Sequence, residues 1–239
     1  MEKEIGNIKK IVSKVDGWLT ENEGITLYSL SRKCTGRGVI VEIGSWQGKS
    51  TIWLAKGSKM GNKAKVYSID PHTGSSEHKK TYGKVWTFDK FKSNIRMAKV
   101  NDLVIPIVGM SEKVVKNFDK PVEFIFIDGA HEYELVKLDY EIWFPKVIEK
   151  GTMAFHDTIG HLGPKRLVEE MVFKSRHFKN VKFADYSITY GVKVEENSFF
   201  DRIRNRYVLL LKNFCEFSYK IKLPKPLIFA LRKIIRVIH

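Results

Sequence analysis

The sequence predicts an α/β fold, a parallel sheet with helices on both faces. Three observations predict it. Short apolar runs alternate five times with stretches of helical period, the pattern of strand-then-helix units. Two glycines follow the first run in Gly44-Ser45-Trp46-Gln47-Gly48, where such folds turn from strand into helix. Later runs end in Asp70, Asp128 and Asp157, which gathers carboxylates at the end of the sheet where α/β folds bind ligands.

Each element has its own signal. Ile5, Ile8, Ile11, Val12 and Val15 recur at helical spacing and predict an opening helix, with a second over Ile25–Lys33. Gly38–Ile43 reads as a buried strand and Ser50–Lys56 as the helix after it. Lys65–Ile69 is a second strand, Phe88–Val100 a helix and Leu103–Val108 a third strand. Val122–Ile127 is an almost unbroken apolar run and the clearest strand. Tyr133–Ile148 follows as a helix, Thr152–Phe155 as the fifth strand and Lys165–Lys174 as a helix. Val181–Ala184 and Ile188–Val194 flank a tight turn and predict an antiparallel hairpin.

With 239 residues, 43% hydrophobic and 29% charged, the chain can bury a real core, which excludes a disordered chain or a collagen-like fibre. Two cysteines, Cys34 and Cys215, make no disulfide framework and suit a reducing compartment. The first residues lack the apolar stretch of a signal peptide, and no apolar run approaches the roughly 18–20 residues a spanning helix needs. The expected location is therefore the cytoplasm, free or peripheral at the inner membrane face.

The net charge is +15, from 42 Lys+Arg against 27 Asp+Glu. Residues 201–239 hold ten bases and two acids, so +8 of it belongs to the tail. There Leu227, Ile228, Leu231, Ile234, Ile235 and Ile238 recur at helical spacing among Arg232, Lys233 and Arg236. Such a helix packs on its own domain or a second copy, or lies on an anionic membrane; nucleic acid is the weakest of these readings. The composition shift divides the chain into a domain over 1–195 and a basic amphipathic extension over 196–239.

The glycine loop is one residue short of a P-loop spacing and is not a strict dinucleotide fingerprint. Gly44 allows a sharp turn, Gly48 allows close approach of a ligand, and the helix start at Ser50 offers N–H groups. Asp70, 22 residues after Gly48, suits the two hydroxyls of a ribose, or else caps a turn before Pro71. Glu42 reads as a group that holds the loop and the amino-acid end of a cofactor, or as a solvated charge at the strand end. His72–Trp86, with Lys79, Lys80, Tyr82, Lys84 and Trp86, reads as a solvated loop or a lid.

Taken in order, these residues carry a resemblance. Val41-Glu42-Ile43-Gly44-Ser45-x-x-Gly48-x-Ser50-Thr51, Tyr67-Ser68-Ile69-Asp70-Pro71, Phe126-Ile127-Asp128-Gly129-Ala130-His131-x-Tyr133, His156-Asp157-Thr158 and Tyr190-Gly191-Val192 resemble the class I S-adenosylmethionine-dependent methyltransferase superfamily. Within it the chain is similar to the divalent-metal-dependent O-methyltransferases with an Asp-Gly-x-His-x-Tyr motif, a branch that includes sugar and macrolide-sugar methyltransferases. The resemblance covers residues 20–195.

It implies a Rossmann-like seven-stranded sheet in the order 3-2-1-4-5-7-6, strand seven antiparallel. It implies S-adenosylmethionine across the first four strand ends, on Glu42, Gly44, Ser45, Gly48, Ser50 and Asp128, with its ribose on Asp70. Gly109, Met110 and Ser111 would border the adenine.

Asp128 and Asp157 end neighbouring strands, and two hard oxygen donors suit Mg²⁺. Thr158 stands where metal-dependent relatives often have an acid or Asn, and would be the third ligand. Asp128, His131 and Asp157 are the candidate catalytic residues; His131 or His156 could accept a proton, or either could be structural. The function this predicts is O-methylation of a sugar, glycolipid or small-metabolite hydroxyl, with Mg²⁺ as an optional aid. The alternatives are a peripheral membrane module that works through the tail, and a nicotinamide-dependent oxidoreductase.

Overall fold

The computed structural model describes residues 2–74, 83–185 and 187–220. Its centre is a seven-stranded sheet, β1 Val39–Ile43, β2 Val66–Asp70, β3 Val104–Val108, β4 Val122–Ile127, β5 Val147–Phe155, β6 Phe178–Ala184 and β7 Ile188–Lys193. The order is β3-β2-β1-β4-β5-β7-β6, as the resemblance implies. β1 to β5 pair in parallel, and β7 runs antiparallel to both β5 and β6.

Alternation along the strands builds two cores. On β4, Phe124 and Phe126 point into one cluster and Ile125 and Ile127 into the other, because successive side chains leave a strand on opposite faces. All six β4 residues are buried, as expected of a central parallel strand. β3 lies at the sheet edge, where Pro106 and its missing N–H are tolerated.

One face is covered by α1 Glu2–Val12, α2 Glu21–Arg32, α3 Lys49–Met60 and α4 Phe88–Met97. α2 crosses α3 closely: a Cβ on Gly24 would fall 2.2 Å from the Trp53 ring. The other face carries α5 Tyr133–Trp143, α6 Leu162–Val168 and α7 Phe199–Lys220. Val208, Leu209 and Cys215 of α7 belong to this core, so the first part of the basic extension packs on the sheet domain. Residues 227–238, where the sequence predicts a further amphipathic helix, lie outside the described residues.

Some boundaries differ from those expected. α2 begins at Glu21 rather than Ile25, because Thr20 and Glu23 form a reciprocal capping box that starts the helix four residues earlier. The helix after β4 stops at Trp143 in a 3-10 turn containing Pro145, and β5 already begins at Val147. The helix expected over Lys165–Lys174 starts at Leu162 and widens into a π turn at Glu169–Phe173. Among the described residues no helix is long and apolar enough to cross a membrane.

Candidate active site

The site is built at the carboxyl ends of β1, β2, β4 and β5. Leaving β1, Gly44 adopts a left-handed backbone (φ +83°), and a Cβ there would sit 2.1 Å from the Asp128 carbonyl oxygen. Only glycine lets the first strand end lie this close to the fourth. The loop beyond is held by Asp70, whose Oδ2 accepts from the backbone N–H groups of Ser45 (2.7 Å) and Trp46 (2.8 Å). Its Oδ1 accepts from the N–H of His72 at 2.6 Å. Trp46 itself has φ +47°, a conformation unusual for a bulky residue.

Gly48 caps α3 at φ +91°, but its missing Cβ faces the Phe91 ring, 3.1 Å away, and not the cavity. Its role is the turn and helix packing rather than approach to a ligand. Glu42 is fully buried beneath the loop, where Oε2 accepts from Thr51 Oγ1 (2.5 Å) and Ser68 Oγ (2.7 Å). Burial, only partly offset by Ser50, Thr51 and Ser68, pushes its pKa up to about 7.

The fourth and fifth strand ends bring acids and imidazoles together. His156 Nδ1 lies 2.9 Å from Asp128 Oδ1 and 3.3 Å from Asp157 Oδ2, and its Nε2 lies 3.4 Å from Glu23 Oε1. Burial disfavours the charged ring, but Asp128 above all, with Asp157 and Glu23, holds the His156 pKa well above its ordinary value. Burial raises the Asp128 pKa, and Asp157 adds to this, against the pull of His156. Asp157 goes the opposite way: hydrogen bonds from His131 and His156 outweigh burial and keep it a carboxylate. His131 Nε2 contacts Asp157 Oδ2 at 3.0 Å, and the rings of His131 and His161 have centroids 3.8 Å apart. Asp157 is left-handed (φ +53°), a strained setting of the kind that gathers at functional sites.

These groups wall a cavity of about 530 Å³, within the usual range of roughly 300–1,000 Å³ for small-molecule sites. Of the residues proposed from sequence, Gly44, Ser45, Ser50, Asp70, Asp128, His131, His156 and Asp157 line it. Glu42, Gly48, Gly109, Met110, Ser111 and Thr158 do not. Met110 is half exposed, and the Ser111 hydroxyl accepts from Trp143 Nε1 at 2.7 Å. The lid expected over His72–Trp86 falls largely on residues 75–82, outside the described residues, with Lys79, Lys80 and Tyr82 among them. At its described end, Trp86 donates to Asp89.

Sequence reasoning missed one wall. Asp16, Gly17, Trp18 and Leu19, between α1 and α2, close the cavity, with the Trp18 and Trp46 rings 5.7 Å apart. Lys49 Nζ donates to the Gly17 carbonyl at 2.8 Å and ties this loop to the glycine loop. An Asp-Gly turn followed by Trp was the available signal. His161 also lines the cavity, and Glu23 reaches His156 from α2. Neither has a local signature, since each acts only across the fold.

Two implied ligands can be tested against this geometry. S-adenosylmethionine fits: Ser45 lines the cavity beside Asp70 and the glycine turn, and its buried hydroxyl has no partner among the described residues. Mg²⁺ fits poorly, and Thr158 has to be corrected as a ligand. Thr158 is fully buried away from the cavity; its hydroxyl donates to the Ser187 carbonyl (2.7 Å) and lies 2.9 Å from Thr189 Oγ1. Its carbonyl accepts from Lys212 Nζ at 2.6 Å. Asp128 and Asp157 already hold His156 between them, and the other groups within ligand distance are imidazoles rather than the oxygens Mg²⁺ prefers.

Comparison with known proteins agrees with the fold. Residues 41–158 match a family model described as a methyltransferase domain. An uncharacterized protein of Sinorhizobium fredii, y4gI, is 28% identical over 120 residues, which is 50% of this chain but only 13% of the relative. Three solved structures share the fold. The O-methyltransferase TomG from Streptomyces achromogenes, in complex with SAM, has TM-score 0.56 and 15% identity, covering 81% of this chain and 91% of that one. An O-methyltransferase from Bacillus cereus in complex with SAH has TM-score 0.54 and 19% identity, covering 81% and 92%. The O-methyltransferase NovP has TM-score 0.57 and 17% identity, covering 81% and 80%.

Proposed function

We propose, from the match of residues 41–158 to a methyltransferase domain, that this chain is a class I S-adenosylmethionine-dependent enzyme that methylates a hydroxyl group of a sugar, glycolipid or other small metabolite. One observation carries the reading: a carboxylate-backed imidazole, His131 on Asp157, lines the same cavity as the glycine loop. The alternatives, a membrane module without catalysis and a nicotinamide-dependent oxidoreductase, have no comparable support.

Bound S-adenosylmethionine supplies a methyl group made electrophilic by the adjoining sulfonium. The chain's own residues do the rest. The loop N–H groups are held by Asp70, and the Ser45 hydroxyl, which has no partner among the described residues, would hydrogen-bond the cofactor. Trp18 and Trp46 present apolar faces on which a sugar or other flat acceptor packs. With an acceptor hydroxyl in the cavity, the His131 imidazole would take its proton. Asp157, kept ionised, stabilises the imidazolium that results.

Titration calorimetry with the demethylated cofactor product tests the premise. A dissociation constant on the order of micromolar is expected, about −8 kcal/mol. Asp70→Ala should weaken it about tenfold or more by releasing the loop. Absence of any binding heat for the wild type would overturn the reading.

A further inference from the structure

The outer face of α7 is apolar along its whole length. Phe200, Ile203, Tyr207, Leu210, Phe214 and Phe217 follow one another at spacings of three and four and are all exposed, Phe200 at 79% and Leu210 at 68%. The opposite face is anchored in the protein by Val208, Leu209 and Cys215, by Lys212 on the Thr158 carbonyl, and by a 2.6 Å Lys165–Glu216 ion pair. The stripe is therefore rigidly displayed and has no partner among the described residues. Apolar surface of this extent on a soluble domain marks an interaction site.

Charge selects the partner. Both acids of α7 are engaged within the protein, Asp201 with Ser198 and Glu216 with Lys165. The exposed polar neighbour of the stripe is Arg206, and the 19 residues that follow the helix add Lys222, Lys225, Arg232, Lys233 and Arg236 and no acid. A helix-to-helix pairing of two copies would set like charges together with no exposed acid to answer them, between chains of +15 each. An anionic lipid surface answers both features at once. Aromatic and aliphatic side chains enter the acyl boundary while bases meet the headgroups.

We propose that the exposed face of α7 docks on an anionic membrane surface and holds the domain there as a peripheral protein. α7 is 22 residues and about 33 Å long, a length common for helices that lie in the membrane plane. This inference does not depend on the methyl-transfer reading.

The test is sedimentation of the full-length protein with phosphatidylcholine vesicles, with and without phosphatidylglycerol. Binding only to the anionic vesicles, weakened by salt, is expected. Leu210→Glu/Phe214→Glu should lower the vesicle affinity about tenfold or more while melting temperature and cofactor-product binding stay unchanged. If that variant misfolds, Phe200→Ser/Leu210→Ser serves the same purpose. Absence of binding by the wild type would overturn the proposal. So would wild-type binding by a folded stripe variant, because the residues after 220 would then be acting alone. A dimer in light scattering that the stripe substitutions dissociate, without vesicle capture, would assign the face to a second copy instead. Loss of cofactor-product binding in the wild type would count against the proposed activity and not against docking.

Discussion

His156 Nδ1 stands 2.9 Å from Asp128 Oδ1, which joins the ends of two neighbouring strands through one buried imidazole. The same ring meets Asp157 and reaches Glu23 on α2. The three acids hold its pKa well above the ordinary imidazole value, which favours a cation among them.

Removal of that cation should be costly. His156→Gln leaves Asp128, Asp157 and Glu23 facing each other in a buried setting, and loss of one partner from a buried charge network costs about 3–5 kcal/mol. Urea denaturation at neutral pH measures it. A loss below about 1 kcal/mol would show that the ring carries little charge in the fold.

His131 is partly exposed at the cavity and does not hold the core together. His131→Ala should lower kcat about 10²–10⁴-fold, the usual contribution of a general base. Affinity for the cofactor product should stay within about threefold. Asp157→Asn should follow the same direction, because the imidazolium would lose its stabilising charge. A rate unchanged by both substitutions would remove the pair from the mechanism.

Glu42 gives a pH signature. Its folded pKa of about 7 lies above the ordinary value of 4.5, with burial the leading cause. Between those values the folded protein binds the proton more tightly than the unfolded chain, so this group's contribution to stability is full below about 4.5 and falls as pH rises through 7. Glu42→Gln removes the ionisation. The melting temperature of the variant relative to wild type should therefore rise from pH 5 to pH 8, and a flat difference would refute the assignment.

Thr158 and His156 together predict the response to chelation. With the Thr158 hydroxyl directed to Ser187 and an imidazole already between Asp128 and Asp157, dialysis against a chelator should leave the methyl-transfer rate unchanged. A rate lost on chelation and restored by Mg²⁺ would reverse this prediction.

Much of this protein is readable along the chain. The β4 run from Val122 to Ile127 shows its double-sided burial directly in composition, and the turn at Gly44 announces the strand-to-helix junction. The start of α2 is also written locally, in the Thr20–Glu23 capping box. The spacing of Gly48 is equally compatible with ligand approach, since spacing alone does not say which side of a loop a missing Cβ faces; packing against Phe91 decides it.

Neighbours in the chain carry the strand and helix periods, the acids at strand ends and the basic charge after residue 200. The assembled fold sets which of those acids meet an imidazole, turns Thr158 inward to Thr189 and Lys212, brings Glu23 to His156 and leaves one face of α7 open. The reason is physical. Periodicity is enforced residue by residue by backbone geometry, whereas the partner of a side chain is set by elements distant in sequence that the sheet order brings together.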